Sequence, residues 1–240
     1  MASAAGSPVS PPPDGREPAR IRDAASIVLV RRSGHAPQIL MGQRGAGAVF
    51  MPEKFVFPGG AVDAEDAALA FGAALEPETA RRLAIDAAPG LGPALACAAI
   101  RELWEETGLR LGAADAAMPA RAAPAGWQGF LAAGLRPRTE ALRFFFRAVT
   151  PPGRPRRFDA RFFIAEATAL VGSDEDFSGA CGELLHLQWL DIAAARRLSL
   201  PFITELVLAE IELRLAGGEA GERPVPYFHQ SAEGPQCRML

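Results

Sequence analysis

Lysine is almost absent from this 240-residue chain: Lys54 is the only one, and arginine carries the rest of the positive charge. Acidic residues outnumber basic ones, 28 against 25, and the net charge is −3, so no overall basic field draws in nucleic acid or an anionic membrane. Cysteine is scarce too. Cys97, Cys181 and Cys237 are odd in number and without C-x-x-C spacing, which argues against a disulfide framework or a zinc site and makes a reducing cytoplasm the expected setting. No apolar run reaches the roughly 18 residues of a membrane span. No apolar stretch follows an early positive charge as in a secretory signal, and the final Cys-Arg-Met-Leu matches no retention signal. What remains is an ordinary globular composition, 49% hydrophobic and 22% charged, with ample length for a core.

Residues 1–20 hold five prolines among small and charged side chains and read as a disordered leader. One domain is expected over 21–216 and an irregular tail over 217–240, in which Pro226-Tyr227-Phe228 can dock. Ala24–Arg31 and Gln38–Arg44 read as a strand hairpin, and Lys54–Phe57 as a third strand stopping at Pro58-Gly59-Gly60. A mostly helical insertion, about 61–93, follows, with helices expected over Ala64–Leu75 and Glu78–Ala88. Pro93 then opens a helix that Gly108 ends as a C-cap.

That helix carries R-E-L-W-E-E-T-G-L, Arg101–Leu109. At about 100° per residue, Glu102, Glu105 and Glu106 share one side while Ala96, Ile100, Leu103 and Thr107 gather on another. Three carboxylates at spacings of three and four repel one another, and Arg101 reaches only part of them. Clustered oxygen donors suit a hard divalent cation such as Mg²⁺ or Mn²⁺; a solvated acidic face is the alternative.

Phe57-Pro58-Gly59-Gly60, followed by Arg101-Glu102-Leu103-Trp104-Glu105-Glu106-Thr107-Gly108-Leu109, resembles the signature of the Nudix hydrolases: Gly, five residues, Glu, seven residues, then Arg-Glu-apolar-x-Glu-Glu-x-Gly-apolar. The second half matches at every fixed position. The spacing departs, since 61–100 is 40 residues where the family has thirteen. Counted forward from Gly60, the first signature acid falls on Asp66 beside Glu65; counted backward from Arg101 it falls on Pro93.

The resemblance implies an α/β (α+β) Nudix sandwich with a mixed central sheet, and a metal-dependent pyrophosphohydrolase acting on a nucleoside diphosphate linked to another moiety. In that reading Glu102, Glu105 and Glu106 hold Mg²⁺ or Mn²⁺ with the Gly60 carbonyl. Arg101 pins a glutamate, and Glu102 or Glu105 is the base toward water.

A long insertion within the signature, with Phe50-Met51-Pro52 ahead of it, is similar to the coenzyme A diphosphatase branch. That branch implies coenzyme A or acyl-CoA as substrate, with 3′,5′-ADP and (acyl)phosphopantetheine as products; ADP-ribose, dinucleotides, NDP-sugars or a non-catalytic nucleotide-binding module are the alternatives. Its upstream motif places an arginine at Arg44, but Val49 and Glu53 stand where a second arginine and a glycine are expected. Arg44, Gly59 and Arg157 are the substrate-binding candidates. Arg157 lies in an arginine cluster with Arg154 and Arg156, read either as a solvated surface or as phosphate capture, between strands expected at Ala141–Thr150 and Arg161–Ala167.

Nudix folds recruit a further acid from a later loop; Glu183 is the first choice and Glu175 the second. Trp127 and Phe130, in a short helix over Trp127–Leu135, read as core ahead of a wall for a base. His186 reads as structural within Leu184–Leu190, Asp191 as an N-cap of Ile192–Leu198, and Pro201–Leu215 as a last amphipathic helix. A small nucleotide is the expected partner, and neither nucleic acid nor membrane; the sequence does not speak to oligomeric state.

Overall fold

The structure is a computed structural model that describes residues 19–240 apart from 33, 35, 49–50, 71–73, 116–122, 218–222 and 232–233. The expected leader thus lies almost wholly outside the described residues. Strands β1 (Ile21–Arg31), β2 (Gln38–Arg44), β3 (Phe55–Val56) and β4 (Gly59–Ala61) come first. The helices α1 (Ala64–Leu69), α2 (Pro77–Leu83) and α3 (Leu91–Thr107) follow. Then come β5 (Gly112–Ala114), α4 (Gln128–Ala132), β6 (Leu135–Pro137), β7 (Arg143–Val149) and β8 (Arg157–Glu166). The chain closes with β9 (Leu184–Asp191), α5 (Ile192–Ala195), α6 (Phe202–Ala216), β10 (Pro226–Ser231) and β11 (Gly234–Met239).

The main sheet runs β11-β10-β7-β8-β1-β2-β3, with β4 also on β1 and β9 also on β2. It is mixed: β1 lies parallel to β8 and β7 parallel to β10, while its other pairings are antiparallel. Strand β1 is long enough to pair β4 with its first half, Ala24–Ser26, and β2 with its last residues, Val30 and Arg31. Successive side chains of a strand face opposite ways. Accordingly Ala25, Ile27 and Leu29 pack with α3, Trp127 and Phe130, whereas Val28 and Val30 pack with Val207, Leu208 and Ile211 of α6. Burial on both faces explains the unbroken apolar run I-V-L-V, Ile27–Val30. This is the expected α/β sandwich.

The insertion is shorter in helix than its alanine content suggests: α1 stops at Leu69 and α2 at Leu83. Buried polar ties fasten it instead. Arg147 donates to the carbonyls of Ile85 (3.0 Å) and Asp86 (3.1 Å), and Thr139 Oγ1 to that of Ala74 (2.7 Å). Helix α3 begins at Leu91, after a left-handed Gly90, so Pro93 occupies its first turn as expected though not its first position. Its end is capped by Gly108, whose N–H reaches Trp104 O (2.8 Å).

Two expectations need correction. The tail is not irregular: β10 and β11 form a hairpin that joins the sheet beside β7. His186 is exposed, with φ +50° near an irregularity in the β2–β9 pairing, so it is not a packed strand residue. Asp191 does cap α5, accepting from Ala194 N at 2.6 Å. Among the described residues no helix is long and apolar enough to cross a membrane. All three cysteines are free.

Candidate active site

The site forms where β4 meets the last two turns of α3. Gly59 and Gly60 pair with Ser26 and Ala25 of β1, so what reads as a turn in the sequence is a short strand laid against β1. On its other side Gly60 touches Glu102. A Cβ built on Gly60 would sit 2.5 Å from the Glu102 Cδ, inside the carboxylate. A side chain here would have to push the Glu102 carboxylate off the place where Arg101 holds it.

Arg101 organises the acids. A guanidinium has five N–H donors in a fixed fork, and here all five are used. Nε and Nη2 take Asp66 side-on (2.9 and 3.0 Å), and Nη2 also reaches Ala61 O (3.0 Å). The two Nη1 hydrogens go to Glu102 Oε1 (2.9 Å) and Glu105 Oε2 (3.0 Å). Glu106 turns the other way and accepts the Gly59 N–H (2.8 Å). Asp66 and Glu106 are buried, Glu102 nearly so, and Glu105 is a third exposed.

The electrostatics are those of surplus negative charge in a shielded place. Burial pushes the Glu102 carboxyl up to about 7; Arg101 pulls it down, and Glu105 and Glu183 push it further up. Burial also drives Glu106 well above the ordinary carboxylate range, with Glu102 adding to it against the Gly59 N–H. Glu105 is raised by burial and lowered by Arg101. For Arg101, burial works to lower its pKa, but Asp66, Glu102 and Glu105 outweigh this and hold it above its ordinary value. The donor set is all oxygen and carries more negative charge than its guanidinium neutralises, which is what a hard divalent cation fits. Among the described residues no three of these side chains make a ready coordination cage: Glu102 and Glu105 are held on Arg101, and Glu106 on the Gly59 N–H.

The structure brings some sequence candidates together and separates others. Glu183, at the end of the loop after β8, lies close enough to repel both Glu102 and Glu106, and it accepts from Arg44 Nη2 at 2.8 Å. That loop is fixed to α3 by the bond from Cys181 N to Glu105 O (2.8 Å). Arg44 buries its Nε without a hydrogen-bond partner among the described residues. Glu53, where the coenzyme A motif has glycine, adopts φ +58°, the backbone region that favours glycine; Val49 lies outside the described residues.

Glu175 pairs instead with Arg31 (2.9 Å), six residues along β1 from Gly60's partner Ala25, which is about 20 Å. It is therefore not part of the cluster. Arg157 donates Nε to Thr150 O (3.1 Å) within its own hairpin, four positions along β8 from Arg161, which pairs with Ala25. Among the described residues it makes no ion pair with these carboxylates, and Glu175 is not reached by an Arg101 donor. Trp127 and Phe130 are wholly buried and pack edge-on to each other, so neither is a wall of an open pocket.

The sequence left the first signature acid between two positions, and Asp66 is the one seated on Arg101. The forward count was the signal. Nothing in the spacing pointed to Trp127, whose indole N–H meets Asp66 Oδ1 (3.3 Å), or to Glu65, which accepts from Gly126 N (2.9 Å).

No family model matches the chain. A curated relative, "Putative nudix hydrolase 7" of Caenorhabditis elegans, is 38% identical over 88 residues. That match covers 37% of this chain and 22% of the relative, so this chain spans about a fifth of that protein's length. Among solved structures, a NUDIX hydrolase from Alicyclobacillus acidocaldarius superposes with a TM-score of 0.63 at 28% identity, covering 85% of this chain and 99% of that one. A MutT NUDIX hydrolase from Burkholderia pseudomallei is more distant, at TM-score 0.45 and 16% identity over 80% of this chain and 98% of that one. The curated relative and the Alicyclobacillus structure support the Nudix hydrolase superfamily and the Nudix-type fold.

Proposed function

We propose that this Nudix-fold chain is a metal-dependent pyrophosphohydrolase that cleaves a nucleoside diphosphate linked to another moiety, with coenzyme A or an acyl-CoA as the preferred substrate. The observation that carries the reading is the Arg101 fork, which gathers Asp66, Glu102 and Glu105 with the Ala61 carbonyl and uses every donor doing so.

Cleaving a phosphoanhydride requires charge neutralised on the phosphoryl oxygens and a water held in line. Bound Mg²⁺ or Mn²⁺ supplies that neutralisation, and Glu102, Glu105, Glu106 and the Gly60 carbonyl are the groups that would hold it. The chain's own residues do the rest. Arg101 restrains Glu102 and Glu105 on one nitrogen, so either is oriented to take a proton from water. The Gly59 N–H restrains Glu106, and Glu183 adds a fourth carboxylate from the later loop. Arg44, paired with Glu183, sets a guanidinium beside the cluster as a partner for a substrate phosphate.

The preference for coenzyme A, giving 3′,5′-ADP and (acyl)phosphopantetheine, rests on the insertion, Arg44, and the glycine-like backbone at Glu53. A release assay with Mg²⁺ or Mn²⁺ across coenzyme A, acetyl-CoA, ADP-ribose and NADH tests both levels. Turnover of coenzyme A above the others supports the finer reading, and turnover of ADP-ribose or NADH instead moves the substrate. No turnover of any compound sinks the hydrolase and leaves a nucleotide-binding module, although such modules usually lose signature acids and all three are present here.

A further inference from the structure

A carboxylate can sit on a guanidinium in more than one bidentate way: side-on across Nε and Nη2, or end-on across Nη1 and Nη2. The choice matters at Arg101. If Asp66 took the end-on seat, it would compete with Glu102 and Glu105 for the Nη1 hydrogens that now hold both. Two donors keep it side-on. Asp63 N–H binds Asp66 Oδ2 (2.9 Å), and Trp127 Nε1–H binds Asp66 Oδ1 (3.3 Å). Trp127 and Asp66 are both fully buried, so no water can substitute for either partner.

The turn that presents Trp127, Ala125–Trp127, lies directly on the cluster. Gly126 donates its N–H to Glu65, and a Cβ there would come within 3.3 Å of both Arg101 Cδ and Glu105 Oε1. The turn therefore runs beside the stem of Arg101 while the indole fixes the carboxylate that Arg101 binds.

We propose that Trp127 is a positioning residue for the glutamate cluster: its N–H sets the seat of Asp66, Asp66 sets Arg101, and Arg101 presents Glu102 and Glu105. This rests on the hydrolase reading above and adds to it a residue that lies outside the signature, 26 positions beyond Arg101. A tryptophan that only filled the core would be replaceable by any ring of its shape.

The test separates ring from N–H. Trp127→Phe removes the donor and part of the ring. Site-specific β-(3-benzothienyl)alanine at 127 keeps the bicyclic shape and removes only the N–H. Three readouts are taken: kcat and KM for the best substrate of the panel, Mn²⁺ dissociation from the substrate-free protein by electron paramagnetic resonance of free Mn²⁺, and thermal unfolding. The expected result for both variants is a kcat lowered about ten-fold with KM within about two-fold. Mn²⁺ affinity should be weaker several-fold, while the benzothienyl protein keeps its Tm. The proposal is overturned if the benzothienyl protein matches wild type in both kcat and Mn²⁺ affinity. Should wild type turn over nothing on the panel, the hydrolase reading fails by itself, and the Mn²⁺ arm still decides whether Trp127 positions the carboxylates.

Discussion

Replacing Glu102 by glutamine should stabilise the metal-free protein at neutral and alkaline pH while removing its activity. Glu102 is mostly buried, and burial raises its pKa from 4.5 to about 7, with Glu105 and Glu183 reinforcing and Arg101 opposing. Between those two values the folded chain holds a proton that the unfolded chain has released. Stability contributed by the protonated form is complete below the unfolded value and is lost as pH rises through the folded one. Each pH unit is about 1.4 kcal/mol, so the loss across the window is about 3 kcal/mol. For a domain of this size that is roughly 6–12 °C in Tm. Glu106, which burial and Glu102 push up as well, bends the curve the same way.

Glutamine is neutral, and its carbonyl still accepts from Arg101 Nη1. The assay is thermal and urea unfolding in chelator from pH 5 to 9. Wild type should lose Tm up to about pH 7–8 and then level off, and Glu102→Gln should show a shallower curve that ends above it. Added Mn²⁺ should raise wild-type Tm at pH 8 and leave the variant almost unmoved. A wild-type curve flat from pH 5 to 8, or a variant curve running parallel to it, would refute the claim that burial holds the Glu102 carboxyl above its ordinary range.

Four further outcomes follow, the first three from the same geometry and the last from the arginine cluster that includes Arg157. Glu106→Gln should lower kcat by several powers of ten with the fold intact by circular dichroism; unchanged activity would mean the acidic face is merely solvated. Asp66→Asn strips the charge from a wholly buried partner of Arg101 and should cost about 3–5 kcal/mol in urea unfolding, and a loss below 1 kcal/mol would show that the guanidinium finds other acceptors. Glu183→Gln should weaken activity whereas Glu175→Gln should not, because only Glu183 lies beside the signature acids; equal effects would remove Glu183 from the site. Arg157→Ala should raise KM for coenzyme A more than for its 3′-dephospho form, and an equal rise for both would discard the 3′-phosphate contact.

What could be read in advance from the sequence is what short-range periodicity encodes. The acidic face of α3, its Gly108 stop and the Asp191 cap all depend on neighbours within a few residues. What resisted reading depends on pairings across long stretches of chain. Pro226–Ser231 and Gly234–Met239 are strands because β10 finds β7 at Tyr227 and Phe228, opposite Arg147 and Ala148, and their own composition favours turns. Asp66 is an anchor because α1 starts at Ala64 and turns it inward, with Asp63 N–H reaching back to its carboxylate. An insertion leaves counting from either end ambiguous, but a buried guanidinium does not tolerate ambiguity: its donors must be met. Arg101 has two glutamates on its own helix, which saturate Nη1, so Nε and Nη2 require acceptors from elsewhere. A side-on carboxylate and a backbone carbonyl are the complement they need, and the strand end at Ala61 together with the helix that follows it supplies both. The 40 residues between Gly60 and Arg101 can therefore lengthen freely after Asp66, whereas the six from Gly60 to Asp66 cannot. The forward count succeeds because the insertion begins only once that acceptor pair is complete.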